Sequence, residues 1–211
     1  MSGLTPALLS DDALAGPWEA IVIGGSSGAI DALNVLLPAL PAGLQSSVIL
    51  LLHLAPDRRS HLVDIFDYRC ELPVLEAEDQ QPLLPGHLYI APPGYHLLVD
   101  HGPRMALSID PPVLFSRPSI DVLFHSAADR FGERLLGVLL SGANEDGADG
   151  LAAIHAAGGR TVVQAPATAA MRAMPDAALA RVPAALALTP EEIAARFARL
   201  PAQPLPDTHF L

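Results

Sequence analysis

The sequence predicts an α/β protein with a doubly wound, mostly parallel sheet, helices on both faces and an antiparallel hairpin excursion near one edge. Two strand-to-helix units come first, and both of their strands are apolar on both faces, which is typical of strands buried between layers of helices. Near the middle, short apolar segments alternate with turn residues, as in hairpins. A third fully apolar strand then returns the chain to the sheet.

Hydrophobic spacing defines the elements before residue 70. The first strand, 19–23, is rich in β-branched residues, and the helix that follows it, 30–37, has apolar residues at helical spacing. A second strand over 47–52 precedes a helix over about 60–68. Ser60 is the expected N-cap of that helix, because a serine hydroxyl can accept a hydrogen bond from the first helical turn.

The middle of the chain changes character. From Val74 to Ile109, short segments such as Leu88–Ile90 are separated by Pro-Gly, Pro-Pro-Gly and His-Gly-Pro, so we expect the whole stretch to form the antiparallel excursion. Helical spacing returns over 121–131, and an apolar strand over 135–140 ends at Ser141-Gly142.

The remaining elements extend the same sheet. They are predicted at 149–157, 161–163 and 191–200. Asp149 is the expected N-cap of the first, since it stands nearest the helix start. No internal repeat or linker divides the chain, so we expect one α/β domain over 19–200, between an N-terminal arm (1–18) and a proline-rich tail (201–211).

Composition excludes several classes of function. The chain has 12 basic residues, all arginine, against 23 acidic residues, and its net charge of −11 disfavours a nucleic-acid partner. Its longest aliphatic run, 48–52, is far shorter than the roughly 20 residues of a membrane span. A single cysteine, Cys70, cannot form an internal disulfide, and the N-terminus does not resemble a secretory signal. We therefore expect a cytoplasmic protein that is not embedded in a membrane.

Polar side chains follow three of the predicted strands. Ser26 lies in a glycine-serine loop after the first strand, His53 directly follows the second, and Asp146 lies in the loop after strand 135–140. Carboxyl ends of parallel strands meet at one edge of a sheet, so these side chains could form the hydroxyl, imidazole and carboxylate set of nucleophilic acyl transfer. The alternatives are a tight or phosphate-binding turn at the serine, a structural histidine, and a loop or helix-capping carboxylate.

The serine loop favours Ser26 as the nucleophile. Gly24-x-Ser26-x-Gly28 has nucleophile-elbow spacing, whereas the dinucleotide fingerprint and the P-loop lysine are both absent from the sequence. Ser26 is preferred over Ser27 because it occupies the centre of the elbow. The helix that begins after the loop directs backbone N–H groups toward the same point, where they could stabilise an oxyanion. No histidine spacing matches a metal motif, so we expect no metal and no cofactor.

Five ordered motifs together resemble the catalytic domain of the chemotaxis receptor protein-glutamate methylesterases (CheB). The resemblance covers roughly 20–180, and the motifs are Ile21–Gly28, His53–Pro56, Pro85–Pro92, Arg117–Phe124 and Ser141–Gly147. The resemblance implies removal of methyl esters from glutamate side chains of chemoreceptors, and deamidation of receptor glutamines by the same site. It further implies Ser26 as nucleophile, His53 as general base and acid, and Asp146 as the group that orients the imidazole.

The resemblance also assigns the surroundings of the nucleophile. Gly25, Ser27 and Ala143 would lie at the oxyanion and substrate-positioning site, with the backbone N–H groups of Ser26 and Ser27 as donors. The family usually has threonine at the Ser27 position and methionine at the Ala143 position, so the pocket wall differs in this chain. Arg117 would either orient a loop or contact an acidic receptor surface.

The expected partner is the methylated cytoplasmic domain of a chemoreceptor. The chemotaxis enzymes normally carry a response-regulator receiver domain before the esterase, and residues 1–18 cannot hold one, so we expect a stand-alone catalytic domain. A separate response-regulator protein is then the alternative source of regulation. The competing hypothesis for the whole chain is a non-catalytic module that binds a receptor or another partner on the same fold.

Overall fold

A seven-stranded parallel sheet with the strand order β3-β4-β2-β1-β7-β8-β9 forms the centre of the fold. The computed structural model describes residues 14, 16–53 and 61–203. The strands are β1 (Ala20–Gly25), β2 (Ser47–Leu52), β3 (Val74–Glu76), β4 (Leu88–Ile90), β5 (His96–Asp100), β6 (Arg104–Ser108), β7 (Leu135–Leu139), β8 (Arg160–Gln164) and β9 (Leu186–Leu188). From β1 the chain adds β2, β3 and β4 on one side, and β7, β8 and β9 follow on the other side, so the topological switch point lies between β1 and β7.

Helices cover both faces of this sheet. They are α1 (Ala29–Leu36), α2 (Leu62–Asp67), α3 (Ile120–Phe131), α4 (Ala148–Ala156), α5 (Ala173–Arg181) and α6 (Pro190–Phe197). One apolar core joins α1, α2 and α6 to one face, and a second core joins α3, α4 and α5 to the other. Among the helices of the described residues, none is both long and apolar enough to cross a membrane.

Alternation along the central strands divides their side chains between the two cores. In β1, Ile21 and Ile23 belong to the core beneath α1, whereas Ala20 and Val22 belong to the core beneath α3. Every residue of β1 and β2 is buried, as their uninterrupted apolar sequences predict. The predicted fold class is therefore confirmed, including its antiparallel hairpin.

The hairpin is smaller than predicted. Among the strands of the described residues, β5 and β6 are the one antiparallel pair, with His96 opposite Ser108, and their apolar residues pack on the α3 face. Leu88–Ile90, expected within the excursion, instead forms β4, which pairs in parallel with both β2 and β3. That part of the prediction is wrong, because a three-residue strand is too short for its pattern to distinguish a buried parallel strand from an arm of a hairpin.

Two predicted helix caps have different outcomes. Ser60 lies outside the described residues. Asp149 is not the N-cap of α4: Gly147 occupies that position with φ 95°, and Asp149 is the second residue of the helix, paired with Arg181. The prediction for Asp149 is wrong because a side chain from another helix, that of Asp121, accepts the hydrogen bonds that a local cap would accept.

Candidate active site

Ser26 and His53 are the first residues beyond two adjacent strands that end together. Gly25 of β1 is paired with Leu52 of β2, and the N–H of His53 donates to the carbonyl oxygen of Gly25 at 3.1 Å. Alternation along the two strands places both Ser26 and His53 on the α3 side of the sheet. The register thus places the serine and the histidine at adjacent strand ends, next to the switch point between β1 and β7, with Ser26 half-buried.

Two glycines let the chain take this path. A Cβ atom on Gly24 would lie 2.4 Å from Cγ2 of Ile120, so glycine is needed for the start of α3 to approach the end of β1. Gly28 has φ 80° and precedes α1, and a Cβ atom there would lie 2.9 Å from the Ser141 hydroxyl oxygen. The glycine-serine loop is therefore a tight strand-to-helix turn, as its spacing predicts.

Asp146 lies beside His53, although 93 positions separate them in the sequence. The distance from His53 Nε2 to Asp146 Oδ2 is 2.7 Å, and the two side chains are 13% and 0% exposed. An ionised carboxylate can only accept hydrogen bonds, so Nε2 carries the proton. The unprotonated nitrogen of the neutral imidazole is therefore Nδ1.

The Asp146 carboxylate sits on the N-terminus of α3. Besides His53, it accepts hydrogen bonds from Ser119 Oγ at 2.8 Å, Ile120 N at 2.8 Å and Asp121 N at 3.0 Å. Burial disfavours the charged form, but the hydrogen bonds from His53, the two backbone N–H groups and the serine hydroxyl outweigh it and lower the pKa of Asp146. The carboxylate is therefore ionised and fixed in position.

Ser119, Ile120 and Asp121 are site residues that the sequence analysis did not identify. They lie in the Arg117–Phe124 motif, which served only to support the family resemblance. A serine directly before a helix is an N-cap signal and indicates a helix start, but it does not show which side chain that start will face. Asp121 also faces inward, and its Oδ1 accepts from the N–H groups of Gly147 at 2.9 Å and Gly150 at 2.7 Å.

The backbone N–H groups near Ser26 differ in availability. The N–H of Ser26 donates to the carbonyl of Ser141 at 2.9 Å, and the N–H of Gly142 donates to the carbonyl of Met171 at 3.0 Å. Within the described part of the chain, the N–H groups of Ser27 and Ala143 have no hydrogen-bond partner, and both residues are exposed. Of the two N–H groups expected to hold an oxyanion, that of Ser26 is thus already paired, whereas that of Ser27 is available.

Ser141 links the loops around Ser27 and Ala143 through hydrogen bonds. Its hydroxyl donates to the carbonyl of Ser27 at 2.8 Å and accepts from the N–H of Met171 at 2.9 Å. Its own N–H donates to the buried side chain of Gln164 at 2.9 Å. The loops after β1 and β7 and the segment before α5 are therefore held in fixed relation to one another.

Arg117 acts on a neighbouring loop. Its Nη1 donates to the carbonyls of Ile109 at 2.8 Å and Asp110 at 3.1 Å, as a loop-orienting residue requires. The loop tip is a tight turn closed by two hydrogen bonds between Val113 and Ser116. Its central residues, Leu114 and Phe115, have φ 45° and φ 64°, and the Phe115 side chain is fully exposed.

The chemistry of the site follows from these groups. A half-buried hydroxyl, an imidazole with an available nitrogen and a buried carboxylate that orients the imidazole are the parts needed for acyl transfer through a serine. Among residues 14, 16–53 and 61–203, no group of three or more His, Cys, Asp or Glu side chains could hold a metal ion.

Known proteins with similar sequences are methylesterases by name. The protein-glutamate methylesterase/protein-glutamine glutaminase of Leptospira interrogans is 40% identical over 183 residues, which cover 87% of this chain and 95% of that protein. A relative with the same activities in its name from Anaeromyxobacter dehalogenans is 41% identical over 169 residues, 79% of this chain but 48% of that protein. The chain thus spans nearly all of the first relative and about half the length of the second.

A solved structure and a family model agree with these relatives. The catalytic domain of the Thermotoga maritima CheB methylesterase superposes with a TM-score of 0.82 at 26% sequence identity, over 86% of this chain and 97% of that domain. The family model described as CheB methylesterase matches residues 21–197, which include Ser26, His53 and Asp146. This chain therefore belongs to the CheB methylesterase family.

Proposed function

We propose that this chain is a serine hydrolase that removes methyl esters from glutamate side chains of chemoreceptor-type proteins and also deamidates receptor glutamines. Family membership over 21–197 and the activities named for its relatives support this substrate class. The observation that carries the proposal is the buried Asp146–His53 hydrogen bond at 2.7 Å, at the strand end next to Ser26.

Ser26 is the proposed nucleophile. Its Oγ attacks the ester carbonyl carbon while His53 Nδ1, the nitrogen not bonded to Asp146, takes the hydroxyl proton. The N–H groups of Ser27 and Ala143 are the proposed donors to the resulting oxyanion. The tetrahedral intermediate collapses as His53 returns the proton to the departing methanol, and water then hydrolyses the Ser26 acyl-enzyme to leave a free glutamate and the original serine.

Asp146 has two proposed roles in this sequence of steps. It keeps the proton on His53 Nε2, which leaves Nδ1 free to act as the base. It also stabilises the imidazolium that exists while the tetrahedral intermediate is present. Because its lowered pKa keeps it ionised, Asp146 provides both effects throughout the neutral range.

We expect ester hydrolysis to be clearly faster than glutamine deamidation at the same receptor position. Both reactions pass through similar tetrahedral species, but ammonia departs only after His53 has delivered a proton to it. Ala143, where the family usually has a larger methionine, gives a looser pocket wall, and poorer alignment slows the harder reaction more. Mass spectrometry of receptor peptides separates the two, because ester loss lowers the mass and deamidation raises it; equal rates would contradict the expectation.

The decisive experiment compares wild type with Ser26→Ala on a methylated receptor cytoplasmic fragment and with a fluorophosphonate probe. We expect wild type to demethylate the fragment and to be labelled at Ser26, and Ser26→Ala to do neither. Ser108→Ala, on the hairpin, is the matched control and should behave as wild type. A wild-type protein that binds the fragment without demethylating it, and that resists the probe, would instead favour the non-catalytic binding module.

The partner, compartment and domain extent belong to the same proposal. The substrate is the cytoplasmic part of a receptor, the chain acts in the cytoplasm, and residues 19–200 form one catalytic unit. Demethylation assays with and without acetyl phosphate, alone and with a candidate response-regulator protein, test the regulatory partner. Activation that needs both additions would identify such a protein as the regulator.

A further inference from the structure

At the N-termini of α3 and α4, backbone N–H groups of each helix donate to a carboxylate that lies on or beside the other helix. Asp146, just before α4, accepts hydrogen bonds from the N–H groups of Ile120 and Asp121 at the start of α3. Asp121, in the first turn of α3, accepts hydrogen bonds from the N–H groups of Gly147 and Gly150 at the start of α4. Each helix start thus satisfies its backbone donors with the carboxylate of the other.

We propose that Asp121 is a positioning residue of this site: its carboxylate oxygen holds the Gly147 N–H and thereby fixes the Asp146 carboxylate against His53. The proposal rests on the proposed function, which gives Asp146 its role. Two hydrogen bonds run between Asp121 and the Asp146–Gly147 segment in opposite directions, at 3.0 Å from the Asp121 N–H and 2.9 Å to its Oδ1. They restrain both the backbone and the side chain at Asp146.

Close packing around Asp121 leaves little room for another side chain to accept the hydrogen bonds that its carboxylate accepts. A Cβ atom on Gly150 would lie 2.5 Å from Phe124 Cβ and 3.0 Å from Asp121 Cα, so only glycine allows α4 to approach α3 this closely. The N-cap Gly147 has no side chain, and Asp121 is 8% exposed. Without Asp121, the N–H groups of Gly147 and Gly150 would be buried without an acceptor and the turn at Asp146 would move to satisfy them.

The positioning role depends on an acceptor oxygen rather than on charge. Burial, together with the nearby charges of Asp146 and Asp149, raises the pKa of Asp121 to about 6, despite the hydrogen bonds from Gly147 and Gly150. Either protonation state of the side chain retains an oxygen that can accept from those N–H groups. An asparagine would supply the same acceptor without the charge, which separates the two effects experimentally.

The test compares Asp121→Ala, Asp121→Asn and the control Asp149→Ala, which removes an exposed carboxylate from the first turn of α4, the helix start that Asp121 holds. The readouts are the fluorophosphonate labelling rate at Ser26, kcat and KM for receptor demethylation, and the downfield proton resonance of His53 Nε2–H. A displacement near 1 Å can cost about 100-fold in rate. For Asp121→Ala we expect labelling and kcat to fall about 10- to 100-fold, with KM within about twofold and the resonance shifted or broadened.

Asp121→Asn should recover labelling to within about threefold of wild type and restore the resonance, and the Asp149→Ala control should stay within the same range. If Asp121→Ala does not fold, Asp121→Ser replaces it, because the shorter hydroxyl does not reach Gly147, and the same losses are expected. The proposal is overturned if these truncated variants keep the wild-type resonance and labelling rate, or if Asp121→Asn is as slow as they are. A wild type that is labelled but leaves receptor esters intact would refute the proposed function alone.

Discussion

Replacing Asp146 with asparagine removes one charge while keeping the size of the side chain. The two carboxylate oxygens accept four hydrogen bonds, with His53 Nε2 and Ile120 N on Oδ2, and Ser119 Oγ and Asp121 N on Oδ1. An amide nitrogen must replace one of these oxygens, and it cannot accept a hydrogen bond. Either orientation of the amide therefore leaves one buried backbone N–H without an acceptor, at a cost of about 1–3 kcal/mol in the free energy of unfolding.

The effect on catalysis should be larger. If the amide nitrogen faces His53, it donates to Nε2 and the imidazole proton moves to Nδ1, which is the nitrogen that must accept the Ser26 proton. If it faces Ser119, the tautomer survives but the imidazolium loses the adjacent negative charge. We expect the demethylation kcat to fall about 10⁴-fold, as in other triads with this change, which corresponds to about 5 kcal/mol of transition-state stabilisation.

The assay measures single-turnover demethylation of a methylated receptor fragment and, in parallel, the rate of fluorophosphonate labelling. Urea unfolding of the same samples confirms that the variant is folded under assay conditions. A loss smaller than tenfold in both rates would refute the assignment of Asp146 as the residue that sets the tautomer of His53.

Two further predictions concern stability. Burial raises the pKa of Asp121 from 3.8 to about 6, so the folded chain binds this proton more tightly than the unfolded chain. We expect the free energy of unfolding of wild type, measured by urea titration relative to that of Asp121→Asn, to fall as the pH rises from about 4 to about 6. A rise in this free energy over the same range would contradict the raised pKa. In the 113–116 turn, Leu114→Asn/Phe115→Gly places residues that favour positive φ at both central positions. We expect the free energy of unfolding to rise by about 2 kcal/mol, which corresponds to about 4–8 °C in Tm by calorimetry. A lower Tm would show that the backbone there is not strained.

The three residues at the centre of the site could be predicted because each lies in or directly after the turn that ends a long apolar strand. Ser26 and His53 need only the parallel register to become neighbours, and that register follows from two strands that end together. The surroundings of Asp146 could not be predicted in this way. They depend on the docking of α3 against α4, which brings together residues 25 to 29 positions apart. No local sequence pattern predicts that docking.

The strands and helices likewise divide into those that the sequence predicts and those that it does not. Strands of five or six apolar residues were predicted within a residue or two, whereas β9, with three residues in an alanine-rich stretch, was missed. The same stretch contains α5, whose weakly amphipathic sequence gave no helical signal. Such short or alanine-rich segments acquire their structure from the sheet and helices on which they pack, so their own spacing carries little information.

The site stands at the ends of β1, β2 and β7, which occupy the centre of the sheet. Each of these strands has a hydrogen-bonded neighbour on both sides, and their residues are completely buried, whereas β3 and β9 each have a neighbour on one side only. In native-state hydrogen exchange, amides of the three central strands should open only with the whole domain, while β9 and α6 open at lower free energy. Fraying at the edge strands would then leave Ser26, His53 and Asp146 in place, so the chain would keep its activity through partial opening.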